Sequence, residues 1–159
     1  MRRPMFWLLV ISVLLMSCSN ADGGNDSSLH DFDNSDLREQ LNQQDFKPKL
    51  PSKTPIAVKD AQFDPPVAGH EIVTFDLYGE GSHLGLMMVR GKEVSNSSDN
   101  EYEEVEIGDV KGEYGEDDAG VMHLDWTDDQ IHYRLTYYGE QSEKEITKEE
   151  LIETAESFE

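Results

Sequence analysis

The sequence predicts an α+β domain: an antiparallel sheet of about six to seven strands, built from hairpins, with one C-terminal helix packed on it. Three observations carry this. Between Ile72 and Leu135, apolar residues alternate with polar ones at period two in several segments. Short turn-forming sequences join those segments, the signature of hairpins. The one strong helix-start pattern comes after them, at Ile146–Leu151, so strands and helix are segregated along the chain.

The chain opens with a different kind of segment. Arg2 and Arg3 precede a run from Met5 to Met16 that is apolar except for Ser12. The run is shorter than the roughly 20 residues a membrane span needs and matches the apolar region of an export signal. Leu15-Met16-Ser17-Cys18 follows, and it resembles the lipobox of bacterial lipoproteins. The resemblance implies a diacylglyceryl thioether on Cys18 and cleavage between Ser17 and Cys18, where a small side chain fits. Met16 departs from the usual small or β-branched residue at that place. The competing readings are a secretory signal cut after Ala21 and an uncleaved N-terminal anchor. The thiol count favours lipidation: Cys18 is the only cysteine, and an exported chain with one odd thiol must account for it. Two acyl chains anchor stably where one does not. The expected location is therefore the outer face of the cell membrane, with residues 1–17 as signal peptide.

Residues 18–45 read as an acidic flexible tether. The stretch Ser19–Ser28 is polar and glycine-bearing, with too little apolar surface to offset ordering entropy. Ser35 to Gln44 can make a short helix with Leu37 and Leu41 on one face, marginal by itself at that length. As coil, the tether spans roughly 30 Å, and about 90 Å at full stretch.

Residues 46–159 form the expected extracytoplasmic domain. Lys47-Pro-Lys-Leu-Pro51 and Pro55 mark an extended lead-in, a strand is expected at Ile56–Phe63, and Pro65-Pro66 breaks it. In the first hairpin, Val73, Phe75 and Leu77 face Met88, Leu86 and Leu84 across Gly79-Glu-Gly-Ser82. Gly91 to Asn100 is a polar, serine-rich loop. Glu103–Ile107 and Val110–Tyr114 flank Gly108-Asp109, a two-residue turn. In the third hairpin Thr127-Asp-Asp-Gln130 is the expected turn. It sets Trp126 opposite Ile131 and Leu124 opposite Tyr133, with Asp125 by His132 and His123 by Arg134 on the other face. The terminal helix carries a capping box (Thr147 with Glu150) and a hydrophobic staple (Ile146 with Leu151), then a stripe of Leu151, Ile152, Ala155 and Phe158.

Taken as an ordered set, several pieces resemble an uncharacterised extracytoplasmic domain family of Bacillus-type bacteria. They are Leu50-Pro51, the Val105–Tyr114 hairpin, Leu124-Asp-Trp126, Tyr133-Arg-Leu135, and Ile146–Ile152 with Ala155-Glu-Ser157. Members of that family occur as lipoproteins and behind the transmembrane helix of anti-sigma-factor-like proteins; some are distantly similar to the LolA and YdcC group. The resemblance spans roughly residues 46–159 and implies a sheet-rich module for envelope sensing or binding. It brings no catalytic residues.

The residues themselves offer no catalytic or metal constellation. Gly81-Ser82-His83 lacks the flanking spacing of a nucleophile elbow. His70-Glu71 lacks the second histidine of a zinc motif, and His30, His70, His83, His123 and His132 are scattered. Asp31–Asp36 and Glu116-Asp-Asp118 do not match calcium-loop spacing. The expectation is no enzyme, no metal and no cofactor. Phe75, Tyr114, Trp126, Tyr133 and Phe158 fall on inward faces, as core or as the lining of a LolA-like apolar groove. The expected partners are the membrane, through Cys18, and an envelope protein or apolar ligand.

Charge excludes one partner class. The chain carries 34 acidic and 13 basic residues, a net of −21, and loss of Arg2 and Arg3 with the signal leaves −23. Phosphates of nucleic acid would be repelled. Self-repulsion at this charge is screened by salt. A titration from low to moderate salt, followed by thermal melting, should therefore raise the melting temperature; a flat or falling response would show that repulsion is not limiting stability.

Overall fold

A computed structural model describes residues 28–65, 71–91 and 101–159. Ser17, Cys18 and the rest of the signal lie outside the described residues, as do Pro66, His70 and the serine-rich loop from Lys92 to Asn100.

The described chain runs β1 (His30–Asp31), α1 (Ser35–Leu41), β2 (Lys53–Thr54), β3 (Asp60–Asp64), β4 (Ile72–Gly79), β5 (Ser82–Arg90), β6 (Tyr102–Ile107), β7 (Val110–Glu116), β8 (Val121–Asp128), β9 (Ile131–Tyr138) and α2 (Lys148–Glu156). β1 and β2 make a small antiparallel ribbon. The other seven strands form one sheet in the order β3-β4-β5-β9-β8-β7-β6, and every neighbouring pair is antiparallel. The fold is α+β, as the alternation predicts. Two meanders, β3–β5 and β6–β9, meet where β5 pairs β9.

One face of the sheet is the core. Phe63, Phe75, Leu86, Leu135, Leu124 and Tyr114 lie on successive register partners, so one apolar row crosses six strands. Leu77, Leu84, Leu124 and Leu135 are wholly buried. Each such leucine is worth roughly 1.5–3 kcal/mol of burial. α2 covers the β6–β8 end with Leu151 and Ala155, and its capping box forms as the sequence predicts: Glu150 N–H donates to Thr147 Oγ1 at 3.2 Å and Thr147 N–H to Glu150 Oε2 at 2.7 Å. Ile146 and Leu151, the staple pair, are both buried. Phe158 lies beyond the helix rather than on its stripe, in a bridge to Pro51.

The tether expectation is corrected over its second half. α1 forms with Leu37 and Leu41 buried in the main core, and Asn34 donates its side-chain amide to Pro51 O at 2.8 Å. Phe32 N–H donates to Ser52 O at 2.8 Å. Leu37 and Leu41, the partly buried Phe32 and the β1–β2 ribbon thus hold a segment whose composition alone reads as coil. The strand expected at Ile56–Phe63 is shifted along the chain: β3 runs Asp60–Asp64, and Ile56 precedes it, fully buried.

The first two hairpins have the expected pairings, Leu77–Leu84, Phe75–Leu86 and Val73–Met88, and Ile107–Val110 across Gly108-Asp109. The third is corrected. Its turn is Asp129-Gln130, so Trp126 faces Tyr133, Leu124 faces Leu135, Asp125 faces Arg134 and His123 faces Thr136. The slip is two residues, which keeps every side chain on its expected face. Both turn residues are left-handed, with φ of 47° at Asp129 and 65° at Gln130, as a primed hairpin turn requires. That conformation costs a non-glycine residue roughly 1–2 kcal/mol. Gln130→Gly removes the cost and adds about 0.4–1 kcal/mol of unfolded-chain entropy. Chemical denaturation should show the variant more stable by about half a kcal/mol or more; a loss would mean Gln130 is not strained.

Candidate functional site

The inner face closes over most of the sheet and opens at one end. There the β6–β7 turn, the β8–β9 hairpin, the extended segment around Lys49 and the C-terminal end of α2 surround an open cleft of about 530 Å³. Its apolar floor is Ile107, Val110, Ala155 and the ring cluster of Trp126, Tyr133 and Phe158. Trp126 and Tyr133 stack at 5.1 Å and 9°, and Phe158 stands edge-on to both, at 5.1 Å and 5.5 Å. The register correction makes this cluster, since it is the Trp126–Tyr133 pairing that lays the two rings together.

The rim is polar. Lys49 Nζ donates to Asp128 Oδ2 at 2.7 Å, and the Lys49 N–H donates to the Tyr133 hydroxyl at 3.2 Å. The Asp128 hydrogen bond raises the Lys49 pKa, which keeps the ammonium charged. Burial raises the Tyr133 pKa, so its phenol stays protonated. Opposite, Gly108 N–H donates to Glu156 Oε1 at 3.1 Å, tying the hairpin turn to the last residue of α2. Gly108 has φ of 56°, so glycine suits the turn. Asp109 completes the rim. The floor is braced by the chain's end: Leu50 and Glu159 exchange backbone hydrogen bonds at 3.3 Å and 3.1 Å. A smaller cleft of about 300 Å³ lies between α1 and β3, lined by Phe32, Leu37, Val58 and Ala61 with Asp33 and Asp36 at its mouth.

The opposite sheet face holds most of the histidines. His83 stacks between Tyr78 (4.7 Å) and Tyr138 (4.3 Å), with Nε2 at 2.8 Å from Asp76 Oδ1. His132 Nε2 lies 3.0 Å from Asp125 Oδ1, and Arg134 donates to both oxygens of that carboxylate at 2.6 Å and 3.2 Å. The expected Asp125–His132 neighbourhood is therefore present, but diagonally, with Arg134 directly opposite. Burial pushes the Asp125 carboxyl up; the hydrogen bonds and charges of His132 and Arg134 outweigh it and hold the pKa below 3.8. His123 Nδ1 is 3.2 Å from Thr136 Oγ1, away from its expected neighbour Arg134 in register. Ser82 begins β5 rather than sitting in the turn, and is buried. Asp117 caps its own loop, accepting from Ala119 and Val121 N–H at 2.9 Å and 2.8 Å. Among the described residues no three His, Cys, Asp or Glu side chains group as a metal site.

Sequence reasoning placed the floor aromatics on the inward face and missed the rim. Lys49, Asp109, Asp128 and Glu156 are far apart along the chain and share no spacing. The one local signal was Glu156, an acid in a last helical turn, where a base is favoured.

His123 supplies a pH test. Burial, then the nearby Arg134 charge, lowers its pKa below 6.5, so the folded state favours the neutral ring. The unfolded chain takes up its proton first as pH falls through 6.5, and stability is lost there. His123→Gln should therefore gain stability relative to the parent between pH 7 and pH 5 in paired thermal melts; parallel curves would show that His123 titrates alike in both states. Comparison with family models, with curated proteins and with solved structures finds no match to this chain.

Proposed function

We propose that this chain is a lipoprotein held at the outer face of the cell membrane through diacylglyceryl-modified Cys18, and that its acidic sheet domain is a non-catalytic binding or sensing module for an envelope partner. The lipobox-like Leu15–Cys18 supports the anchor. The open, ring-floored cleft between sheet and α2 carries the binding reading, because it is where the inner face is open to the outside.

A LolA-like lipid carrier would need an apolar groove under the helices. Val73, Phe75, Leu77, Leu84, Leu86, Leu124 and Leu135 fill that space at 0–1% exposure, which weighs against a carrier.

The tether shortens in this reading. Twelve residues separate Cys18 from His30, the first residue of β1, so the two lie at most about 40 Å apart. The domain then works close to the bilayer, while its charge keeps it from lying flat on anionic lipid.

The anchor is tested by Cys18→Ala in cells fed labelled palmitate. The label should vanish from the protein, and the chain should leave the membrane fraction or retain its signal. Normal cleavage with unchanged membrane retention would refute lipidation.

A further inference from the structure

We propose that the cleft at the end of α2 receives a lysine or arginine side chain of a basic polypeptide partner. This rests on the binding reading above and names the chemistry of that site's occupant. Three observations converge on it.

The first is rim charge. Among the described residues, Asp109, Asp128 and Glu156 line the cleft against one ammonium, that of Lys49. Lys49 is already engaged with Asp128, which leaves the Asp109–Glu156 wall without a cation of its own across the opening. The second is the helix end. α2 presents the negative end of its dipole here, and its last turn holds no basic residue and ends in Glu156. A helix C-terminus favours a cation by about 0.3–1 kcal/mol, so an acid there is locally unfavourable and a bound cation relieves it. Gly108 N–H satisfies only Glu156 Oε1, so Oε2 remains able to accept. The third is the floor. Ile107, Val110, Ala155 and Phe158 give an apolar bed beside the carboxylates. Lysine and arginine are the side chains that join a long aliphatic stem to a cationic head. A bare metal ion would leave the floor unused. A fatty acid or phosphate would meet the acidic rim with like charge. The domain's net charge steers a basic chain toward it over the longer range.

The test uses the full chain in mild detergent with Trp7→Phe, so that the Trp126 indole resonance reports the cleft alone. Titrated pentalysine should shift that resonance saturably. Asp109→Asn with Glu156→Gln keeps the Gly108 hydrogen-bond acceptor and should weaken binding about fivefold to tenfold, from the loss of two part-exposed ion pairs. Asp60→Asn with Asp64→Asn, on the far edge strand, removes the same charge and should leave affinity within about twofold. Equal weakening by both pairs would reduce the effect to bulk attraction and overturn the proposal. So would a Trp126 resonance that moves with phosphatidylethanolamine vesicles and not with pentalysine. If pentalysine fails but an envelope extract still moves Trp126, the basic-side-chain inference falls and the binding reading stands; if neither moves it, both fall.

Discussion

The pairing of β5 with β9 is the constraint on which the domain depends. Each meander alone would present an apolar face to water and end in an open strand edge. Joined through Leu84–Tyr137, Leu86–Leu135 and Met88–Tyr133, the two meanders share one apolar face. The contact is non-local, since β5 ends at Arg90 and β9 begins at Ile131, so its loop-closure entropy is met only when the apolar rows align. α1, α2 and the extended lead-in then have one continuous surface to cover. The sheet's remaining free edges carry charge: Asp60 and Asp64 on β3, and Glu104 and Glu106 on β6. Charged edges discourage pairing with a second chain.

The cleft is a consequence of how the covering layer ends. α2 stops at Glu156, and the chain turns back through Ser157 and Phe158 to pair with the Leu50–Ser52 segment, where Ser52 N–H donates to Ser157 O at 3.1 Å. Phe158 fills part of the gap over Trp126 and Tyr133 but not the space toward the β6–β7 turn. Gly112 makes room for the floor residue Ile107. A Cβ there would stand 2.7 Å from Ile107 Cδ1 and 2.8 Å from Asp125 O, so only glycine lets Ile107 lie across the strand. The site's polar rim and apolar floor thus come from four separate stretches of chain, held in place by backbone hydrogen bonds and ring packing.

How much of this could be read in advance differs by element. The first hairpin was legible to the residue, because alternation and a short glycine turn leave one register that puts both apolar faces together. The third was legible only in its faces. Met122, Leu124 and Trp126 against Ile131, Tyr133, Leu135 and Tyr137 offer apolar partners at every second position, so a slip of two loses no burial in the pattern. The left-handed turn at Asp129-Gln130 chooses between the alternatives, and nothing in those two residue types announces it. Residues 28–45 misled for a different reason: Phe32, Leu37 and Leu41 are few, and their burial depends on a surface made by strands much further along.

Sequence alone determined the α+β class, the inward and outward faces of the strands, the capped terminal helix, and the net charge of −21. These follow from period, capping chemistry and composition, which are local or additive. It also supplies the whole case for the lipid anchor at Cys18. Tertiary structure alone decided the order of the strands, the docking of α1, the Trp126–Tyr133–Phe158 cluster and the acidic rim at the end of α2. Those depend on which distant segments meet, and a period-two pattern is indifferent to that choice until turns and packing select one arrangement.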